Sequence, residues 1–143
     1  MTKRILVLVG VLVTAVTIFN SVLRAQIQWT VRDGVYTETQ AIRGEELVNS
    51  YACANCHGGG LGGGREDVPP LVGPDFTGLW DGRPLGDLHR MVSDMPPSGS
   101  RKLNTQGRVD VLAYILWLNY YPTGPDELPP DKQTLDRIKI VLP

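Results

Sequence analysis

Three residues with reactive side chains lie close together in the sequence. Cys53 and Cys56 are the only cysteines of the chain, and His57 follows them at once. Two intervening residues let both thiols reach the vinyl groups of one haem, and the adjacent imidazole then lies below the iron. This C-x-x-C-H spacing is the attachment sequence of c-type haem. The sequence therefore predicts one haem c, bound covalently through Cys53 and Cys56, with His57 as an iron ligand.

Other uses of these residues fit the sequence less well. A redox thiol pair normally lies at the start of a helix in a βαβ unit, and the pattern around Cys53 predicts no such unit. A structural zinc ion needs four ligands, whereas the only other histidine is His89. A disulfide would leave His57 unexplained. Haem attachment accounts for all three residues.

The second axial ligand of the iron decides between an electron carrier and a ligand-binding protein, since an open position admits exogenous ligands. Met95 lies 38 residues beyond His57 on an irregular Met-Pro-Pro segment, and its soft thioether favours ferrous iron. Met91 lies one turn earlier, on an apolar helix face where methionine commonly fills the core. His89 would give two histidine ligands. We predict that Met95 is the ligand, with Met91 and His89 as the alternatives.

The first 25 residues are interpreted as an export signal. Lys3 and Arg4 precede an uncharged, mainly apolar run from Ile5 to Phe19. As a helix this run rises only about 22 Å, short of the ~30 Å hydrocarbon core of a membrane. Ala25 is the candidate residue before cleavage, and an uncleaved membrane anchor is the alternative. In both cases the basic end stays in the cytoplasm, so the domain is expected in the periplasm.

Composition narrows the class of protein. The 143 residues are 42% hydrophobic and 20% charged, which suits one domain with a buried core. The formal net charge is −1, without the basic excess that holds phosphates, so nucleic acid is not an expected partner. Removing residues 1–25 takes away three basic residues and changes the charge to −4. The exported domain is therefore mildly acidic.

The elements that position the reactive residues are predicted to be helical. Thr37 and Gln40 have the spacing of a capping box, and Gly44 within the following helix indicates a close approach to another helix. Asn104 is a candidate N-cap for a nearly continuous apolar run of helix length. The predicted helices cover residues 38–51, 86–93, 104–119 and 131–137.

The remaining segments are predicted to be extended or irregular. Residues 26–36 form a lead-in, residues 37–122 the domain itself, and residues 123–143 a tail whose apolar end packs on the domain. The six glycines of residues 58–64 predict a loop too flexible to form a regular element. Prolines and glycines keep residues 69–80 irregular. Because no alternating strand pattern is present, the fold class is all-α.

The order of these parts resembles class I c-type cytochromes. The resemblance implies a cytochrome c fold, in which three main helices and short helices wrap around one covalently bound haem. It also implies that Gly44 meets the Val111 and Tyr114 face of the last long helix. The Pro69 carbonyl would accept a hydrogen bond from the second nitrogen of His57 and so fix the ring. The matching features are Gly44, Leu47, Cys53-Ala54-Asn55-Cys56-His57, Pro69, Leu71, Met95-Pro96 and Asp110-Val111-Leu112-Ala113-Tyr114-Ile115.

A narrower similarity relates the chain to small monohaem cytochromes associated with bacterial pyrroloquinoline-quinone dehydrogenases. It implies an electron carrier rather than an enzyme, which takes electrons from a dehydrogenase and passes them to an oxidase or another cytochrome. A haem subunit fixed to a dehydrogenase and a five-coordinate haem sensor are the alternatives. The matches are Val35-Tyr36-Thr37, Gln40-Ala41, Arg43-Gly44, Asp75-Phe76, Trp80, Gly86-Asp87-Leu88, Met95-Pro96 and Glu127-Leu128-Pro129.

The chain departs from that pattern at Ala52, which adds a residue before Cys53, and at Pro84, where a polar cap is often present. Two groups of side chains are further candidates for function. Trp80 and Arg83 are candidates for contact with a haem propionate, with a buried aromatic residue and a surface arginine as the alternative. Three basic residues predict either a positive patch near Met95 or a solvated turn: Arg101, Lys102 and Arg108.

Overall fold

The computed structural model of the protein describes residues 29–64, 67–97 and 101–143. The predicted export signal lies outside these ranges. The described chain is mostly helical, which confirms the all-α class, and it has one small parallel sheet. No helix of the described residues is long and apolar enough to cross a membrane. The helices are α1 (Glu38–Ser50), α2 (Ala54–His57), α3 (Gly73–Trp80), α4 (Leu85–Asp94), α5 (Thr105–Leu118) and α6 (Lys132–Leu135), with 3-10 turns at Val31–Asp33 and Gly59–Leu61 and strands β1 (Trp29–Thr30) and β2 (Ile138–Lys139).

Helix α1 begins where the sequence predicts, but its cap differs from the prediction. The Thr37 hydroxyl accepts the Gln40 backbone N–H at 3.1 Å, as in a capping box. The Gln40 side chain does not return to Thr37. It is fully buried and bonds both backbone groups of Leu128, donating from Nε2 at 3.0 Å and accepting at Oε1 at 2.7 Å. A tertiary contact therefore replaces the second half of the predicted box.

Helices α1 and α5 cross in close contact at Gly44. A Cβ added there would lie 2.0 Å from the Asp110 carbonyl oxygen and 2.8 Å from the Tyr114 Cβ. The predicted close approach is confirmed, although Asp110 takes the place expected for Val111, which faces the cavity described below. Only glycine allows the two backbones to meet at this distance.

Helix α3 corrects the prediction that residues 69–80 are irregular. Pro74 lies in its first turn, where a missing N–H costs nothing and the fixed φ favours helix. Phe76 and Trp80 are buried, and their ring centroids are 6.4 Å apart. The proline thus starts a helix here, because it precedes the apolar positions rather than interrupting them.

The glycine-rich segment is a loop, with a short turn at Gly59–Leu61 whose central Gly60 has a left-handed φ of +75°. Leu61 is buried, and its carbonyl accepts the Leu71 N–H at 2.8 Å. Gly58 has a φ of +80°, and a Cβ there would lie 2.5 Å from the Gly63 carbonyl oxygen. One buried leucine and close glycine backbones therefore order the segment that follows the C-x-x-C-H motif.

Helix α4 matches its predicted range, and Pro84 at its N-cap provides no side-chain cap bond. Leu88 and Val92 are buried on its inner face. Met91, predicted to share that face, is instead 45% exposed at the border of the cavity described below. Only part of the predicted apolar face is therefore buried in the core.

The last described segment packs against the rest of the described chain. Its β2 pairs in parallel with β1, so that Trp29 lies opposite Ile138. Ile138 and Ile140 are buried, whereas Leu142 is 51% exposed, so only part of the apolar end is buried. The short helix of the tail is limited to Lys132–Leu135. The two ends of the described chain thus lie side by side.

Candidate haem site

The C-x-x-C-H residues follow the end of α1 on a tight turn. Ala52, the additional residue, has a φ of +54°, and the Cys53 N–H bonds the Val48 carbonyl at 3.1 Å. The turn thereby absorbs the extra residue, at a cost of roughly 1–2 kcal/mol for a left-handed alanine. Cys56 and His57 lie on α2 immediately afterwards. Local backbone bonding therefore brings the three reactive side chains together.

The two cysteines are not paired with each other and lie in different environments. Cys53 is partly buried and Cys56 is exposed. Burial is the main factor that raises the pKa of the Cys53 thiol. Cys53 therefore lies towards the interior and Cys56 towards solvent.

The His57 ring is buried and fixed by one hydrogen bond. Its Nδ1 lies 3.0 Å from the Pro69 carbonyl oxygen, which is the contact that the resemblance implies. A carbonyl only accepts, so Nδ1 carries the proton and Nε2 keeps its lone pair. The ring lines the cavity beside it. Nε2 is therefore the nitrogen available to an iron ion.

Two adjoining cavities open beside the motif. Their shared walls hold His57 and Met95, which come from segments on different helices. Most other lining groups are apolar, as a haem plane requires. The residues common to both cavities are Cys53, His57, Met95, Leu103 and Val111; the others include Leu47, Tyr51, Cys56, Pro69, Leu71, Trp80, Leu88, Met91 and Ile115.

The three candidates for the second axial ligand occupy different places. Met95 directly follows α4 and lines both cavities. Met91 lines only one of the two. His89 lines neither, and its buried Nε2 has no hydrogen-bond partner among the described residues. The structure thus brings Met95 together with His57 and both cysteines.

The donor set in the cavity fits a haem. Two thiols can form thioether bonds, an imidazole nitrogen can bind the iron, and a thioether sulfur lines the same space. The apolar walls suit the porphyrin ring. The residues present are therefore those that haem c requires.

One residue that supports the site was not predicted. The buried Asn119 amide donates to the Leu71 carbonyl at 2.9 Å and accepts the Gly73 N–H at 3.0 Å. It thereby ties the end of α5 to the segment that follows Pro69. The available signal was a polar residue at the end of a long apolar run, a pattern that by itself indicates only a helix end.

The two candidates for propionate contact, Trp80 and Arg83, lie against each other. The Arg83 guanidinium lies 4.2 Å from the centroid of the Trp80 ring and pairs with Asp87 at 3.4 Å. Trp80 itself is buried in the cavity wall. Arg83 therefore covers the outer side of that wall.

The family model of cytochrome c oxidase, cbb3-type, subunit III matches residues 39–115, just over half of the chain. The chain belongs to this family. It is therefore a c-type cytochrome with covalently bound haem c, an electron-transfer protein rather than an enzyme. Cytochromes of this type are typically exported and exchange electrons with redox partner proteins. Comparison with curated proteins gives no match, and comparison with solved structures gives none either.

Proposed function

We propose that the cytochrome is a class I monohaem electron carrier in which His57 and Met95 are the axial ligands. The observation that carries this proposal is that both side chains line the same cavities, next to Cys53 and Cys56. Haem c supplies the one-electron chemistry when bound. With both axial positions taken by the protein, no position is left for a substrate.

Hydrogen bonds to the backbone hold these groups in place. The Pro69 carbonyl fixes the tautomer and the plane of His57. Asn119 in turn holds the segment beyond Pro69 through Leu71 and Gly73. Met95 is fixed to α4 by its backbone N–H, which bonds the Val92 carbonyl at 3.2 Å. The two proposed ligands are thus supported from separate elements.

The proposed location is the periplasm, on the basis of the export signal in residues 1–25. The haem domain in residues 37–122 then acts with its flanking segments outside the cytoplasm. The charge of −4 on residues 26–143, together with about −2 from haem propionates, favours partners with a basic rim. Such redox encounters use small interfaces, below about 1,200 Å².

The proposed electron donor is a quinoprotein dehydrogenase, and the acceptor is an oxidase or another cytochrome. The donor is supported by the resemblance to cytochromes that accompany such dehydrogenases. The acceptor is supported by the family description, which names an oxidase subunit. The proposed path therefore leads from the dehydrogenase through this protein toward the respiratory chain.

The deciding experiment compares the haem-loaded wild type with Met95→Ala. We expect the oxidised wild type to show the sulfur-to-iron absorption band and the variant to lack it. The reduction potential of the variant should be lower, because a thioether preferentially stabilises ferrous iron. Absorption spectra and a redox titration measure both effects.

Two further variants and one ligand complete this test. Met91→Leu and His89→Ala should keep the band, since these residues are not the proposed ligands. Reduced wild type should bind carbon monoxide slowly, and the Met95→Ala variant rapidly. A wild type that lacks the band and binds carbon monoxide rapidly would instead be the five-coordinate sensor.

A further inference from the structure

The segment that carries Met95 has few hydrogen-bond donors of its own. Pro96 and Pro97 have no N–H group, so Met95 contributes the only backbone donor of the three residues. The Met95 N–H donates to the Val92 carbonyl at 3.2 Å. The backbone groups of this segment that are left for further hydrogen bonds are therefore its carbonyl acceptors.

The Lys102 side chain donates hydrogen bonds to two of these carbonyls. Its Nζ donates to the Asp94 carbonyl oxygen at 2.7 Å and to the Pro96 carbonyl oxygen at 2.5 Å. These two carbonyls belong to the residues on either side of Met95. A single ammonium group thus bridges the chain across the proposed ligand, with charge-assisted hydrogen bonds that are stronger than neutral ones.

The backbone of Lys102 is itself held against the other wall of the cavity. The Tyr51 hydroxyl donates to the Lys102 carbonyl at 3.3 Å, and the Arg101 guanidinium lies 4.2 Å from the centroid of the Tyr51 ring. Leu103, the next residue, is buried and lines both cavities. Since Tyr51 lies just before the C-x-x-C-H motif, Lys102 connects the wall that holds the cysteines with the wall that holds Met95.

We infer that Lys102 is a positioning residue for the distal ligand: its ammonium group holds the Met95 segment over the cavity. This inference rests on the proposed ligation of the iron by Met95. It also revises the interpretation of the basic residues near Met95. Arg101 contacts the Tyr51 ring, and Lys102 bonds the carbonyls on either side of Met95. Arg108 donates to the Leu103 carbonyl at 3.2 Å.

The test uses the full-length, haem-loaded Lys102→Met variant, which keeps an unbranched apolar side chain and removes the three donors. Without them the Met95 segment opens more often. We expect a weaker sulfur-to-iron band in the oxidised form. The rate of carbon monoxide binding to the reduced form should rise about three- to tenfold, as loss of charge-assisted hydrogen bonds at an exposed site predicts.

Lys132→Met is the matched control, because Lys132 is an exposed lysine that pairs with Asp136 and does not line either cavity. It should keep the wild-type band and carbon monoxide rate. If Lys102→Met behaves like Lys132→Met while the wild type shows the band, the positioning role is wrong and the ligation stands. If the wild type binds carbon monoxide as fast as Met95→Ala, the proposed ligation itself is wrong.

Discussion

The two histidines of this cytochrome differ in their hydrogen bonds and in their position relative to the cavity. His57 gives one nitrogen to a backbone carbonyl and presents the other to the cavity. His89 lies on α4 outside the cavity, with a buried Nε2 that has no partner among the described residues. Burial is the main cause that lowers the pKa of His89, and the nearby Arg108 charge adds to it. His89 is therefore held in its neutral form.

The lowered pKa of His89 predicts a loss of stability in acid. As pH falls below about 6.5, the unfolded chain takes up a proton that the folded chain resists, so the free energy of unfolding decreases until pH reaches the folded pKa. Above about pH 6.5 this contribution is fully present. His89→Leu removes the titrating group, so the variant should become more stable relative to the wild type between pH 7 and pH 5.

Urea denaturation at several pH values checks this prediction, because carboxylates and propionates titrate alike in both proteins and cancel in the difference. A difference in unfolding free energy that stays constant with pH would contradict it.

At the scale of the elements, the crossing of α1 and α5 sets the floor of the haem cavity. Gly44 permits the contact. The guanidinium of Arg43 beside it donates two hydrogen bonds to the carboxylate of the buried Asp110, from Nε at 3.2 Å and from Nη2 at 3.0 Å. The same guanidinium also pairs with Glu127 at 2.8 Å. Leu47 and Val111, on the same two helices, line the cavity. The distance between the helices is therefore coupled to the shape of the site.

Gly44→Ala is expected to destabilise the fold by about 1–3 kcal/mol or more, because the added methyl would overlap the Asp110 carbonyl. Gly78→Ala is the matched control: it lies inside α3, and a Cβ there meets nothing within 4 Å. That substitution should stabilise the protein by up to about 1 kcal/mol. Chemical denaturation measures both, and equal effects of the two substitutions would rule out the steric argument.

At the scale of the whole molecule, the tail closes the structure around α1 and α4. The Gln40 amide bonds both backbone groups of Leu128, which is buried. Further along, Ile140 exchanges backbone hydrogen bonds with Gly82 and Arg83, just before α4. The tail therefore supports the two helices from which the proposed axial ligands follow.

Gln40→Ala should cost about 2–4 kcal/mol of stability, since it leaves the buried N–H and carbonyl of Leu128 without their partner. Limited proteolysis should then cut the tail sooner than in the wild type. Gln133→Ala, at an exposed position of α6, is the control and should change stability by less than about 0.5 kcal/mol. Unchanged stability and cleavage in Gln40→Ala would show that the tail is held by other contacts.

The sequence by itself determined the features that depend on neighbours along the chain. The spacing of Cys53, Cys56 and His57 indicates haem attachment because covalent geometry limits which side chains can meet. The ranges of α1 and α5 follow from caps and apolar periodicity, and the range of α4 follows from apolar periodicity and the prolines after it. Ranking Met95 as a ligand was likewise possible, because two prolines end α4 beside it.

Only the tertiary structure decided which distant groups meet. Gln40 leaves its predicted capping role for Leu128, which is 88 residues away. Asn119 and Lys102 act through backbone carbonyls, which every residue carries and which no sequence pattern distinguishes. Helix α3 forms across a segment rich in turn residues because the Phe76 and Trp80 side chains are buried in the core. The physical reason is common to these cases: local pattern sets the elements, whereas burial and hydrogen-bond satisfaction over the whole fold choose their partners.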